Sequence, residues 1–221
     1  MSAKMKKFNF TKLSEKLPST VPFVGPETQE RLNNRLFAAR LGANENVFGP
    51  SPLAIRAMKK EAEKIWMYGD PENHDLKLQL AKKHAVQSEN IVVGEGIDGL
   101  LGYLCRLFIE PGDRVVSSLG AYPTFNFHVA GYGGQLDTVP YVNDYEDPES
   151  LVEKARETNA KLCYLANPDN PMGTWNSGKK IEKVVNNIPD CCLLVLDEAY
   201  VEFAPSGTSP KIDCSNEKVI R

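Results

Sequence analysis

The chain has 221 residues, 42% of them hydrophobic, a size and composition that suit a packed core and exclude a disordered or fibrous polymer. Its 26 Lys and Arg against 29 Asp and Glu leave a net charge of −3, which excludes a general electrostatic attraction to nucleic acid or anionic lipid. Cys105, Cys163, Cys191, Cys192 and Cys214 form no Cys-x-x-Cys pair and mostly lie in apolar runs, as expected of reduced thiols in a cytoplasmic setting. Residues 8–12 interrupt the stretch after Lys4, Lys6 and Lys7 before signal-peptide length is reached, and no segment approaches the roughly 18 apolar residues of a membrane span.

Residues 1–41, punctuated by Pro18, Pro22 and Pro26, read as an extended arm of the kind that packs on a partner subunit, with one short helix near Thr28–Phe37. Ser51 as N-cap and Pro52 at the first helical position open a helix whose apolar residues, Leu53 to Ile65, recur at helical spacing and end near Trp66. A second helix spans Leu76–Val86. The chain then alternates: strand Ile91–Val93, helix Leu100–Phe108, strand Arg114–Ser117, helix near Phe125–Ala130 and strand Leu136–Val139. Asp147-Pro148 starts a helix to about Thr158, followed by strand Leu162–Ala166, a helix over Lys180–Val185 capped by Ser177, and strand Cys191–Leu196. Short, almost wholly apolar strands alternating with helices predict an α/β fold with a mainly parallel sheet covered by helices on both faces.

In such a sheet, ligands bind outside the carboxyl ends of the strands. Four of these ends carry polar or aromatic groups: Gly94-Glu95-Gly96-Ile97-Asp98, Tyr122 to Phe125, Asn167 to Gly173, and Asp197-Glu198-Ala199-Tyr200. A glycine turn, an aromatic face, an amide and a carboxylate are the fittings for a flat, phosphorylated heteroaromatic ligand.

Each also has a plainer reading. The glycine turn is able to cradle a phosphate at a helix start, or to be a turn and no more. Tyr122 is a stacking face or a core aromatic, and Asn170 a ligand contact or a turn residue. Asp197 is the sharpest of the set, because a carboxylate at the tip of an apolar strand is costly without a partner; its plainer reading is an N-cap. His74, His84 and His128 lack ligand spacing, so no metal site is expected. Residues 173–180, Gly-Thr-Trp-Asn-Ser-Gly-Lys-Lys, approach a phosphate-binding P-loop, but Lys180 stands where Ser or Thr must meet the metal, and no strand feeds directly into the loop.

Taken together, these residues resemble the fold-type-I pyridoxal-phosphate aminotransferases of class I/II, and within them the histidinol-phosphate aminotransferases. The resemblance covers nearly everything from Leu41 to Arg221. Leu41-Gly42-Ala43-Asn44-Glu45-Asn46 with Gly49-Pro50-Ser51-Pro52 is similar to the family's N-terminal signature, and Tyr68-Gly69-Asp70-Pro71 to its Tyr-Pro-Asp-Pro segment. Residues 167–173 resemble Asn-Pro-Asn-Asn-Pro-Thr-Gly, and Asp197-Glu198-Ala199-Tyr200 matches outright. Gly99, Gly69 and Met172 depart from the usual Glu, Pro and Thr, and none of the three removes a group with an assigned chemical role.

The resemblance implies pyridoxal phosphate as cofactor. Asp197 would pair with its protonated ring nitrogen, Asn170 and Tyr200 would bond its phenolic oxygen, and Tyr122 would stack on the ring, with Phe125 the alternative if the alignment slips. The amides of Ile97 and Asp98 would hold the phosphate, joined by Tyr68 from the neighbouring subunit of a homodimer, while Asn44 would face the substrate. The implied reaction is amino transfer between histidinol phosphate and oxoglutarate, with aromatic or other amino acids as alternative substrates. The family's Schiff-base lysine is expected just past the strand that Lys218–Arg221 begins, so no lysine of this chain takes that role. The chain is then expected to be an arm, residues 1–41, and a large cofactor domain, residues 42–221, incomplete at its C-terminal side and without the small domain. A non-catalytic cofactor-binding fragment is the reading from another class.

Overall fold

The computed structural model describes residues 9–17 and 23–221. Parts of the expected arm, residues 1–8 and 18–22 with Pro18 and Pro22, lie outside the described residues. Contacts divide the chain into residues 23–93 and residues 94–221, with the segment 9–17 falling in the second unit.

In residues 23–93, α1 (Pro26–Asn33) stops where Asn34 takes the left-handed conformation, φ 47° and ψ 39°, short of the expected Phe37. Ser51 caps α2 (Pro52–Glu61) by accepting from the Leu53 amide at 3.2 Å, and a 3-10 turn, Ala62–Lys64, carries the chain on. The Asp70 carboxylate accepts from the Glu72 and His74 amides at 3.0 and 2.8 Å, which opens α3 (His74–His84) two residues before the expected start. Ala85, left-handed at φ 54°, closes it. The expected strand Ile91–Val93 is not a strand: Ile91 is extended, φ −116° and ψ 126°, but the segment pairs with no strand among the described residues. Extended angles become a strand only when a neighbour supplies hydrogen bonds.

Residues 94–221 alternate as α4 (Gly96–Phe108), β1 (Arg114–Ser118), α5 (Pro123–Gly131), β2 (Gln135–Val139), α6 (Pro148–Thr158), β3 (Leu162–Ala166), α7 (Gly178–Asn187), β4 (Leu193–Asp197) and β5 (Val219–Ile220). The sheet is wholly parallel in the order β2-β1-β3-β4-β5. The caps expected for α6 and α7 are made: Asp147 accepts from the Ser150 amide and Ser177 from the Lys180 amide. Cys191 and Cys192, expected in β4, lie outside it; the Cys192 amide closes a turn on the Pro189 carbonyl at 2.9 Å.

Strand side chains alternate between two cores, as the period of two requires. Val115, Leu162, Tyr164, Ala166 and Val195 pack with Leu101 and Cys105 of α4 and Phe125 and Val129 of α5. Val116, Cys163, Leu165, Leu194 and Leu196 pack with Leu151 and Val152 of α6 and Ile181 and Val184 of α7 on the other face. Each of these large apolar side chains contributes roughly 1.5–3 kcal/mol by its burial. Near the amino ends of the strands, Lys161 pairs with Asp113 at 2.7 Å and Arg114 pairs with Asp137. The chain leaves β1 toward β2 on one side and builds β3, β4 and β5 on the other, so the strand order reverses between β1 and β3. That reversal is where open α/β sheets place ligands.

Candidate active site

Asp197 ends β4, half-buried at the rim of the apolar sheet. Its Oδ2 accepts from the Tyr164 hydroxyl at 2.6 Å and its Oδ1 from the Ala199 amide at 2.9 Å. The Ala199 bond is the local turn that the plainer reading anticipates. The Tyr164 bond is not local, and it fixes the carboxylate while leaving further lone pairs for a ligand cation. Burial, reinforced by the Asp197 carboxylate, pushes the Tyr164 phenol far above its usual range, so Tyr164 remains a donor.

Tyr122 follows β1 as the N-cap of α5, and its hydroxyl donates to Asp98 Oδ1, in the first turn of α4, at 2.7 Å. Burial, with Asp98 and the nearby Tyr200 adding to it, raises the Tyr122 phenol. Tyr122, Asp98 and Tyr200 are thus neighbours. Phe125 is not an alternative to Tyr122: it is fully buried and stacks on Tyr164, with centroids 4.6 Å apart and planes 18° apart. A three-residue shift along α5 turns the side chain from the crevice into the core.

Helix α4 begins four residues before the expected Leu100, with Gly96 at φ 77° and open space where its Cβ would stand. Glu95, at the N-cap, makes no side-chain cap bond, so no capping side chain takes up the first-turn amides of Ile97 and Asp98. Such a helix end suits an anion.

Asn170 lies half-exposed in the loop after β3. Two asparagines divide the work of that loop, for Asn167 is fully buried and serves as a clamp. Its amide nitrogen donates to the Asn176 and Thr208 carbonyls at 3.1 and 3.2 Å, and its Oδ1 accepts from the Asn176 amide at 2.8 Å. The Asn167 backbone amide also donates to the Asp197 carbonyl at 2.8 Å, tying the β3 loop to the end of β4.

The start of α7 offers no phosphate site, which removes the P-loop alternative. The Gly178 amide donates to the Gly207 carbonyl at 2.8 Å, and a Cβ on Gly178 would stand 2.6 Å from the Ser209 carbonyl oxygen. Chain already fills that end.

Of the expected site residues, Ile97, Asp98, Tyr122, Asn170, Asp197 and Tyr200 lie in residues 94–221, at the start of α4, at the end of β4 and in the loops after β1, β3 and β4. Asn44, exposed and left-handed at φ 54°, and Tyr68, fully exposed, lie in residues 23–93. Sequence reasoning missed Tyr164, Tyr141, Glu146 and the clamp role of Asn167. A tyrosine inside the otherwise aliphatic run Leu162–Ala166 was the available signal for Tyr164.

An open parallel α/β sheet with an anchored carboxylate, an uncapped helix start and an aromatic at its carboxyl edge defines a fold that binds a small ligand at its switch point. A family model, aminotransferase class I and II, matches residues 39–218. The chain belongs to that family. It is similar to a histidinol-phosphate aminotransferase of Dinoroseobacter shibae, 31% identical over 172 residues covering 78% of this chain and 47% of the relative. Histidinol-phosphate aminotransferase 2 of Carboxydothermus hydrogenoformans is 33% identical, covering 87% and 53%. Among solved structures, histidinol-phosphate aminotransferase from Sinorhizobium meliloti in complex with pyridoxal-5'-phosphate superposes with a TM-score of 0.91 at 50% identity, covering 97% of this chain and 58% of that one. The chain spans about half the length of the curated relatives it matches.

Proposed function

We propose that this chain is the cofactor-binding part of a pyridoxal-phosphate-dependent aminotransferase acting on histidinol phosphate, with oxoglutarate as the amino acceptor. The observation that carries the reading is Asp197, a carboxylate fixed from two sides at the tip of β4 with lone pairs to spare. The residues fit the cofactor by their own chemistry: a carboxylate for a ring cation, uncapped amides for a phosphate, an aromatic face and amide and phenol donors. When bound, the cofactor supplies an electron-accepting ring that stabilises negative charge at the substrate's amino-bearing carbon.

Asp197 would pair with the protonated ring nitrogen, and Tyr164 holds Asp197 in place for it. The Ile97 and Asp98 amides bind phosphate at the helix N-terminus, where the dipole favours an anion. Tyr122, held against Asp98, would cover one ring face, and Asn170 and Tyr200 would donate to the phenolic oxygen. Tyr68 completes the phosphate site from a partner subunit, and Asn44 faces the substrate. Full exposure of Tyr68 close in sequence to exposed Ile65 and Trp66 supports a homodimer. Cysteines without a disulfide support a reducing, cytoplasmic setting, and no helix among the described residues is long and apolar enough to cross a membrane.

The test compares Asp197→Ala with Asp197→Glu in the whole protein. Losing a buried, charge-assisted partner costs about 3–5 kcal/mol, so the Ala variant should lose most activity and cofactor affinity while Glu retains part. Near-normal turnover by Asp197→Ala would place the site elsewhere. A substrate panel with turnover of phenylalanine or aspartate and none of histidinol phosphate would reject the substrate.

A further inference from the structure

A second acidic cluster lies beneath the site and has no part in the chemistry above. Glu146, just before α6, is 2% exposed, and Asp169, in the Asn170 loop, is 4% exposed. Neither belongs to an ion pair among the described residues. Asp169 Oδ2 accepts from the Tyr141 hydroxyl at 3.0 Å and the Met172 amide at 3.4 Å, whereas Asp169 Oδ1 and both Glu146 oxygens lack a donor in full hydrogen-bond geometry. The Ser117 and Ser118 hydroxyls, buried at the end of β1, likewise make no bond in full geometry, and Ser118 lies against Glu146.

The setting is the mouth between two strands. β1 meets β3 at Val115↔Leu162 and Val116↔Cys163, and the ladder stops there, although both strands continue. Glu146 faces Ser118 from β1, the Ala166 amide from β3, and Asp169. It therefore sits where the strand order reverses, below the loops that carry Tyr122 and Asn170. The segment is tied to the Asn170 loop: the Thr174 hydroxyl donates to the Asp144 carbonyl at 3.0 Å, and the Asp169 amide to the Thr174 carbonyl at 2.9 Å.

We propose that Glu146 and Asp169 share one proton as a carboxylic acid–carboxylate pair, wedged between the carboxyl ends of β1 and β3, and that this pair sets the spacing of the loops presenting Tyr122 and Asn170. Two buried carboxylates in contact do not both ionise, and a shared proton places a donor between them. Burial and the Asp169 charge hold Glu146 well above the usual carboxylate range; burial raises Asp169, less so for its donors. The other titratable groups facing the pair, Tyr141, Tyr164 and Cys163, are themselves raised by burial and stay neutral. The role given to the pair in presenting Tyr122 and Asn170 rests on the function proposed above, whereas the shared proton does not.

The proton is tested on the cofactor-free protein. A folded-state pKa above the unfolded 4.5 means that folded Glu146 keeps a proton the unfolded chain releases, so stability falls as pH rises from 4.5 toward the raised value. Glu146→Gln keeps a donor to Asp169 without a proton to lose. Relative to Glu146→Gln, the wild-type folding equilibrium constant should fall about tenfold per pH unit across that window, and the wild type alone should show the infrared band of a buried protonated carboxyl. Parallel pH profiles with identical infrared spectra would overturn the shared proton. So would stabilisation of the wild type by Mg²⁺ or Ca²⁺ that Glu146→Gln loses, since a cation would then be the missing partner. For positioning, Glu146→Ala, or Tyr141→Phe should the former not fold, should weaken pyridoxal phosphate binding about tenfold. Unchanged affinity in a folded variant would overturn that role. Failure of the wild type itself to bind pyridoxal phosphate would instead reject the proposed function and the positioning with it, while the pH comparison still decides the proton.

Discussion

Tyr164→Phe isolates one bond beneath the candidate site. The ring of Tyr164 is fully buried and stacks on Phe125 at 4.6 Å, so phenylalanine keeps every carbon contact and opens no cavity. What disappears is the hydroxyl that donates to Asp197 Oδ2 at 2.6 Å. A hydrogen bond to a charged acceptor contributes about 1.5–3 kcal/mol, so folding stability in denaturant should fall by about that amount, with the slope of the transition unchanged. A double-mutant cycle with Asp197→Ala sharpens the test: both substitutions delete the same bond, so their costs should fail to add by a similar amount. A Tyr164→Phe variant within about 0.5 kcal/mol of the wild type, or a cycle that is additive, would refute the claim that Tyr164 anchors Asp197.

Gly178→Ala should destabilise the fold on the order of 1–3 kcal/mol, read as a lower denaturation midpoint, because its Cβ would stand 2.6 Å from the Ser209 carbonyl oxygen and backbone yields poorly. Subunits carrying Tyr68→Ala mixed with subunits carrying Asp197→Ala should regain activity that neither has alone, since a hybrid dimer contains one intact site. No recovery in hybrids confirmed by mass spectrometry would argue for a site built within one subunit.

Much of the sheet was legible because parallel strands are buried on both faces and read as unbroken apolar runs, as Leu162–Ala166 does. Asp197 stood out because it ends such a run, and Ser51, Asp147 and Ser177 because caps are local chemistry. The beginning of α4 was hidden by Gly96 and Gly99, which carry no apolar periodicity. That Ile91–Val93 pairs with no strand among the described residues was beyond a local reading, since a strand depends on a distant neighbour. The acid pair was the least visible part. Glu146 lies in the polar stretch Tyr141–Asp147, which has the composition of a surface loop, and only the divergence of β1 from β3 makes room to bury it.

All five strands run the same way, so their carboxyl ends and the loops that follow them gather at one end of the sheet. The ion pairs Lys161–Asp113 and Arg114–Asp137 lie toward the opposite, amino end. Tyr122, Asn170 and Asp197 border the carboxyl ends. Exchanging the charges of Lys161 or Arg114 should therefore alter stability without touching the loops that carry Tyr122, Asn170 and Asp197.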